Sequence, residues 1–159
     1  HESNSHPLAL AEDVISGLNG SCERTGEAEL VIELSGRWSG YQLVLHWCPD
    51  IGFLFATSML DYKVPRDRRA AFYELLALVN ERLSAGHFDS VTADAVPTFR
   101  QTLMLRGAGG ATSEQIEDLI DIAQRELDRF YPAFQYVLWG GRKPADAIAA
   151  AMLEPAGEA

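Results

Sequence analysis

Cysteines, basic residues and long apolar runs are all scarce in this chain, and each scarcity excludes something. Only Cys22 and Cys48 occur, far apart and without a Cys-x-x-Cys spacing. They could form one disulfide at most, and they read more simply as reduced thiols of a cytoplasmic protein. Thirteen Lys and Arg stand against 23 Asp and Glu, a formal net charge of −10. A field of that sign repels phosphate backbones and anionic lipid, so neither nucleic acid nor a membrane is an expected partner. It favours solubility and encounter with basic partners. No apolar run approaches the roughly 20 residues of a membrane span. The opening segment, residues 1–6, is polar, lacks the charged-then-apolar order of a signal peptide, and reads as disordered.

What is present is an ordinary globular composition, 47% hydrophobic and 23% charged over 159 residues. That suits one domain, expected over residues 7–141, with a short helix and tail over 142–159. A chain of this length buries roughly 70% of its unfolded surface, so the core needs no metal or disulfide.

Hydrophobic periodicity orders the elements. Pro7 opens a helical stretch carrying Leu8, Leu10, Val14, Ile15 and Leu18, and Asn19-Gly20 stops it. The period then falls to two. Glu29–Ser35, Tyr41–Cys48 and Phe53–Leu60 read as strands joined by short turns, hence an antiparallel meander. Ser21–Arg24 adds a possible preceding strand, with a turn at Thr25-Gly26. A helix is expected from Pro65 to about Leu83 on the spacing of Phe72, Leu75, Leu76, Val79 and Leu83. Strands at His87–Val91 and Thr98–Arg106 follow. Thr112 and Gln115 then form a capping box opening the longest helix, in which Pro132 predicts a kink or break near Tyr131. The fold class is α+β, an antiparallel sheet with packed helices in the order α-β-β-β-α-β-β-α.

This order and several local phrases resemble the YbjN family. The phrases are the meander, Val96-Pro97-Thr98-Phe99-Arg100 with its strand, Val137-Leu138-Trp139-Gly140-Gly141, and Ala145 to Leu153. The resemblance implies the fold of type III secretion chaperones, a compact domain that commonly dimerises, without a cofactor. Members are described as regulators of sensory transduction, a label that names no chemistry and brings no catalytic residues. Secretion chaperones of this fold are small, acidic and dimeric, and bind extended segments of client proteins.

The residues themselves offer few alternatives. His46 and Cys48 share one face of a strand and could begin a metal site or a thiol–imidazole pair, with Cys22 and His87 as further candidates. Zinc needs three or four such ligands and a nucleophilic cysteine needs an oriented base, and the spacing supplies neither. The loop Gly107-Ala108-Gly109-Gly110 lacks the lysine of a phosphate-binding loop, and Glu114, Glu117 and Asp118 crowd the helix start behind it. Lys63, Arg66, Arg68 and Arg69 oppose the dipole of the second helix, so Lys63, Arg66 and Arg69 are candidates for an anion or acidic-partner site. Tyr131, Tyr136 and Trp139 lie partly off the core stripe of the long helix and are candidates for a partner surface.

The sheet supplies a broader argument. Val31, Val44 and Leu54 read as apolar residues opposite the main core rows, where a sheet wetted on one side would alternate cleanly. Either helices cover both faces or a second subunit covers one. The expectation is a non-enzymatic, protein-binding regulatory or chaperone-like domain. It acts as a homodimer with an unknown protein client and has no catalytic, cofactor or metal residues. The alternative is a small-molecule or metal-binding domain, or a small enzyme, with a pocket near His46 and Cys48.

Overall fold

A computed structural model describes residues 6–91 and 93–153. The expected disordered segment, apart from His6, and the expected frayed tail over 154–159 lie outside the described residues. Helix α1 (Pro7–Gly17) is followed by strands β1 (Ser21–Gly26), β2 (Glu29–Ser35), β3 (Gly40–Cys48) and β4 (Phe53–Met59). A 3-10 turn (Arg66–Arg68) leads into α2 (Arg69–Asn80), then β5 (His87–Val91), β6 (Val96–Met104), α3 (Ser113–Leu138) and α4 (Pro144–Leu153). The six strands form one sheet in the order β1-β2-β3-β4-β6-β5, with every neighbouring pair antiparallel.

Local chemistry sets the helix ends. His6 caps α1 through its imidazole, Nδ1 accepting from the Leu8 N–H at 3.2 Å, and Pro7 supplies the first helical residue. The capping box of α3 forms as expected: Gln115 N–H donates to Thr112 Oγ1, and Thr112 N–H to Gln115 Oε1. The β1–β2 turn falls at Glu27-Ala28, because β1 continues through Thr25-Gly26 by way of an irregularity between Arg24 and Gly26. Helix α2 ends at Asn80, short of the expected Leu83. The Asn80 side chain turns across to β5, with Nδ2 donating to the Phe88 carbonyl and Oδ1 accepting the Phe88 N–H.

Among the described residues, helices cover one face of the sheet only. Leu30, Ile32, Leu43, Leu45, Leu54, Ala56 and Phe99 point to that face and are fully buried. Helices α1 and α3 pack on the sheet there, α2 packs against β5 and α3, and α4 lies across α2 and α3. Ala147, Ile148 and Ala151 are the buried side of α4. Phe72, Phe88, Phe99, Phe130 and Phe134 form the aromatic centre of the core.

Helix α3 is not broken at Pro132, the break being one of the two outcomes, kink or break, that the sequence favoured there. Proline has no N–H to donate to the carbonyl four residues back, which belongs to Asp128. That carbonyl instead accepts from the Trp38 indole Nε1 at 3.0 Å. The Asp128 carboxylate accepts from the Arg37 N–H at 2.9 and 3.0 Å, and from the Tyr41 hydroxyl at 2.8 Å. Gln124 adds a bond to the Ser35 carbonyl. The β2–β3 hairpin tip is thereby fastened to α3, so closely that a Cβ on Gly36 would lie 2.2 Å from the Tyr41 ring and 2.6 Å from Asp128. The proline that could have ended the helix frees the acceptor by which the hairpin docks.

Candidate functional site

Two surfaces stand out: the uncovered sheet face, and a cleft at one end of the sheet. Strand pairing identifies the first. Val31 lies opposite Val44, His46 opposite Phe55, Cys48 opposite Phe53 and Phe53 opposite Met104, all on the side away from the helices. Phe53 and Phe55 are half-buried, in edge contact at 5.8 Å, while Met59 and Met104 are exposed, Met104 at 73%. The pairing corrects the expected placement of Leu54. It pairs with Trp47 and is fully buried in the core, and Phe53 and Phe55 are the residues that face outward. Strand β4 thus turns Leu54, Ala56 and Ser58 inward and its bulkier row outward. Val31 and Val44 do lie on the open face, half-buried.

The second surface is a cleft of about 530 Å³ where the hairpin tip, the β4 exit and the end of α3 meet. Tyr41, Tyr62, Tyr131 and Trp139 line it together with Met59, Leu60 and Asp61. The rings run in a chain: Tyr41 to Tyr131 at 6.2 Å, Tyr131 to Tyr62 at 6.4 Å, and Tyr62 to Trp139 at 4.9 Å. Trp139 is 58% exposed. The Tyr62 hydroxyl is buried and has no hydrogen-bond partner among the described residues. Burial pushes both Tyr62 and Tyr41 far above the ordinary phenol range, and Tyr41 is raised further by the Asp128 carboxylate that accepts its hydrogen bond.

This has a measurable consequence. Above the ordinary tyrosine value of 10.0, the unfolded chain releases these two protons while the folded chain keeps them. Stability is fully present below that pH and falls above it, by about 1.4 kcal/mol per pH unit for each phenol. Urea denaturation on either side of pH 10 should show this slope. Tyr41→Phe and Tyr62→Phe together should flatten it, and an unchanged slope in that double variant would refute the assignment.

The candidates read from sequence separate in space. Tyr131 and Trp139 meet in the cleft, whereas Tyr136 lies beneath the Arg142 guanidinium, 4.5 Å above its ring. Tyr41 and Tyr62 complete the cleft without having been singled out. Tyr41 reads as a core strand residue, and Tyr62 sits in a loop with no periodicity to mark it. In the basic cluster, Lys63 pairs with Asp94 at 3.5 Å, and Arg69 Nε reaches the Val64 carbonyl at 3.5 Å. Arg66 is exposed. Arg68 donates to the Val137 carbonyl in the last turn of α3, a favourable position for a cation, and to the Arg142 carbonyl in the segment that follows. His46 is exposed and Cys48 half-buried on the open face, Cys22 lies on the opposite face across from Ile32, and His87 sits on the far edge strand. Among the described residues, no three His, Cys, Asp or Glu side chains gather as a metal site. Nor, among them, is any helix long and apolar enough to cross a membrane.

Fold and site define an α+β domain with one antiparallel sheet, helices on one face and the other face open. The family model described as "Putative bacterial sensory transduction regulator", YbjN, matches residues 7–136, and the chain belongs to that family. The fold is also that of a solved structure, "Crystal structure of YbjN, a putative transcription regulator from E. coli". Its TM-score is 0.56 at 14% identity, covering 76% of this chain and 85% of that one. No curated protein matches the sequence. By its description the family is one of regulators.

Proposed function

We propose that this chain is a non-enzymatic regulatory domain of the cytoplasm that works as a homodimer and binds a protein partner, with the open sheet face as the dimer surface. The observation that carries the reading is the outward row of β4. A strand wetted on one side places its smaller and more polar residues outward, and here Phe53 and Phe55 face out while Ala56 and Ser58 face in. Phe53 and Phe55, with Cys48 and Met104 flanking Phe53 and the Val31–Val44 pair diagonal to Phe55 beyond His46 and Thr57, give this face apolar groups of the kind that mark an interface. The sheet edges suit pairing less well. Strand β1 is charged through Glu23 and Arg24 and irregular before Gly26, and β5 carries His87 and Asp89. Polar residues rim the face, with Glu29 and Glu33 on β2 and Arg100 on β6. The chain's net charge of −10 favours a basic protein partner.

Light scattering at several concentrations is expected to give about twice the 17.5 kDa chain mass. Phe55→Arg places a charge on this face and should return the mass to that of one chain, with an unchanged far-UV spectrum. A wild-type protein that stays at one chain mass at every concentration would refute the reading.

A further inference from the structure

The cleft has a chemical character of its own and meets the open sheet face at Gln42 and Met59. Among the described residues its lining includes four aromatic residues and one charged residue, Asp61, and no Lys or Arg lines it. The basic residues nearest in sequence are engaged elsewhere: Lys63 with Asp94, Arg37 over the Trp38 ring, Arg129 with Glu126 and over the Phe130 ring, and Arg142 over the Tyr136 ring. Aromatic faces carry the negative end of the ring quadrupole, and Trp is the strongest of them. A carboxylate beside such faces adds attraction for positive charge, within a protein whose field is already strongly acidic. An anion would meet Asp61 and the ring faces with no cation to offset them. A neutral apolar group could use the rings and Met59 but would gain nothing from Asp61. A neutral hydroxylated group could bond to Ser39, Gln42 and Asp61 but would draw nothing from the ring quadrupoles or from the net charge of −10, whereas a positive charge wrapped in carbon uses all of them.

We propose that the cleft formed by Tyr41, Tyr62, Tyr131, Trp139 and Asp61 is a binding site for an organic cation of the alkylammonium class. The ammonium lies against the Tyr62 and Trp139 rings, with Asp61 at the rim. Trp139 is the most exposed of the four rings and the most accessible to an arriving ligand, while Tyr41 is held rigid by its bond to Asp128. Tyr62 stands between Tyr131 and Trp139, so its loop determines whether the chain of rings is continuous. The volume, about 530 Å³, lies within the range of sites that take small ligands. The same chemistry could arrive as a free small molecule or as the tip of a lysine side chain on a partner, and the probes separate these.

The experiment is saturation-transfer NMR on the full chain. Choline and tetramethylammonium serve as cations, neopentyl alcohol as a neutral analogue of similar shape, pivalate as an anionic one, and Nα-acetyl-lysine amide as a side-chain mimic. Choline and tetramethylammonium are expected to bind at millimolar concentration or below, neopentyl alcohol about tenfold more weakly, and pivalate not detectably. Trp139→Ala, at an exposed position that the core does not need, should weaken choline binding about tenfold, and Asp61→Asn several-fold. Because Tyr62→Ala could disturb the loop, Tyr62→Leu, with its fold checked by circular dichroism, provides the third variant and should also lose binding. If the lysine amide matches choline, the proposal stands with a partner side chain as the source. If only the methylated cations bind, it stands with a free ligand as the source. Equal binding of neopentyl alcohol, any preference for pivalate, or choline binding unaffected by Trp139→Ala and Tyr62→Leu would overturn it, as would no binding by either cation.

Discussion

Phe134→Ala is expected to cost about 3–5 kcal/mol, a large share of the roughly 5–15 kcal/mol that holds a domain folded. Phe134 is fully buried on α3, with its ring 6.1 Å from Phe72 of α2 and 5.2 Å from Phe88 of β5. Phe88 in turn touches Phe99 at 5.1 Å and Phe130 at 6.1 Å. Removing the ring takes a partner from two other elements at once, and three rigid pieces of structure cannot close the gap together. The cost is therefore the lost transfer energy plus the cavity left behind. A domain of this size loses about 2–4 °C of melting temperature per kcal/mol, so a fall of about 10 °C is expected. Thermal and urea unfolding check it, and a loss under about 1 kcal/mol would mean that the aromatic centre is not where stability resides.

Asp128→Ala is the second large effect, expected at about 2–4 kcal/mol. The carboxylate accepts from the Arg37 N–H and the Tyr41 hydroxyl, and hydrogen bonds to a charged group contribute about 1.5–3 kcal/mol each. The Arg37 bond is exposed and belongs at the lower end of that range, whereas the Tyr41 hydroxyl sits on a residue only 4% exposed and loses its partner in a place water reaches poorly. The Trp38 bond to the Asp128 carbonyl belongs to the backbone and survives the substitution. The hairpin tip should then loosen without leaving α3. Amide exchange at Arg37 is expected to accelerate strongly while the centre of β3 stays protected. Uniform acceleration through the sheet would show that Asp128 supports the global fold and not the docking of the tip.

Sequence periodicity alone determined most of the architecture, because the signals are local. A period of two in Glu29–Ser35 and Tyr41–Cys48, and of 3.6 in the stripe from Ile116 to Leu138, follows from backbone geometry whatever packs on it. The Thr112–Gln115 capping box was legible for the same reason, since all its atoms lie within one helical turn. Composition likewise set the acidity that bears on both proposals. Tertiary structure decided which side of each strand became the inside. In β4 the rows Phe53-Phe55 and Leu54-Ala56 are both apolar, so alternation separates them without ranking them, and the pairing with β3 and the closeness of the helices put the smaller row inward. Pro132 shows the same limit: its local effect is to leave the Asp128 carbonyl without a helical donor, and the Trp38 indole, far away in sequence, supplies one. The cleft was legible only in half, as Tyr131 and Trp139. Tyr41 and Tyr62 reach it from a strand and a loop, and chain segments with no local pattern in common are brought together only by the packing of the whole domain.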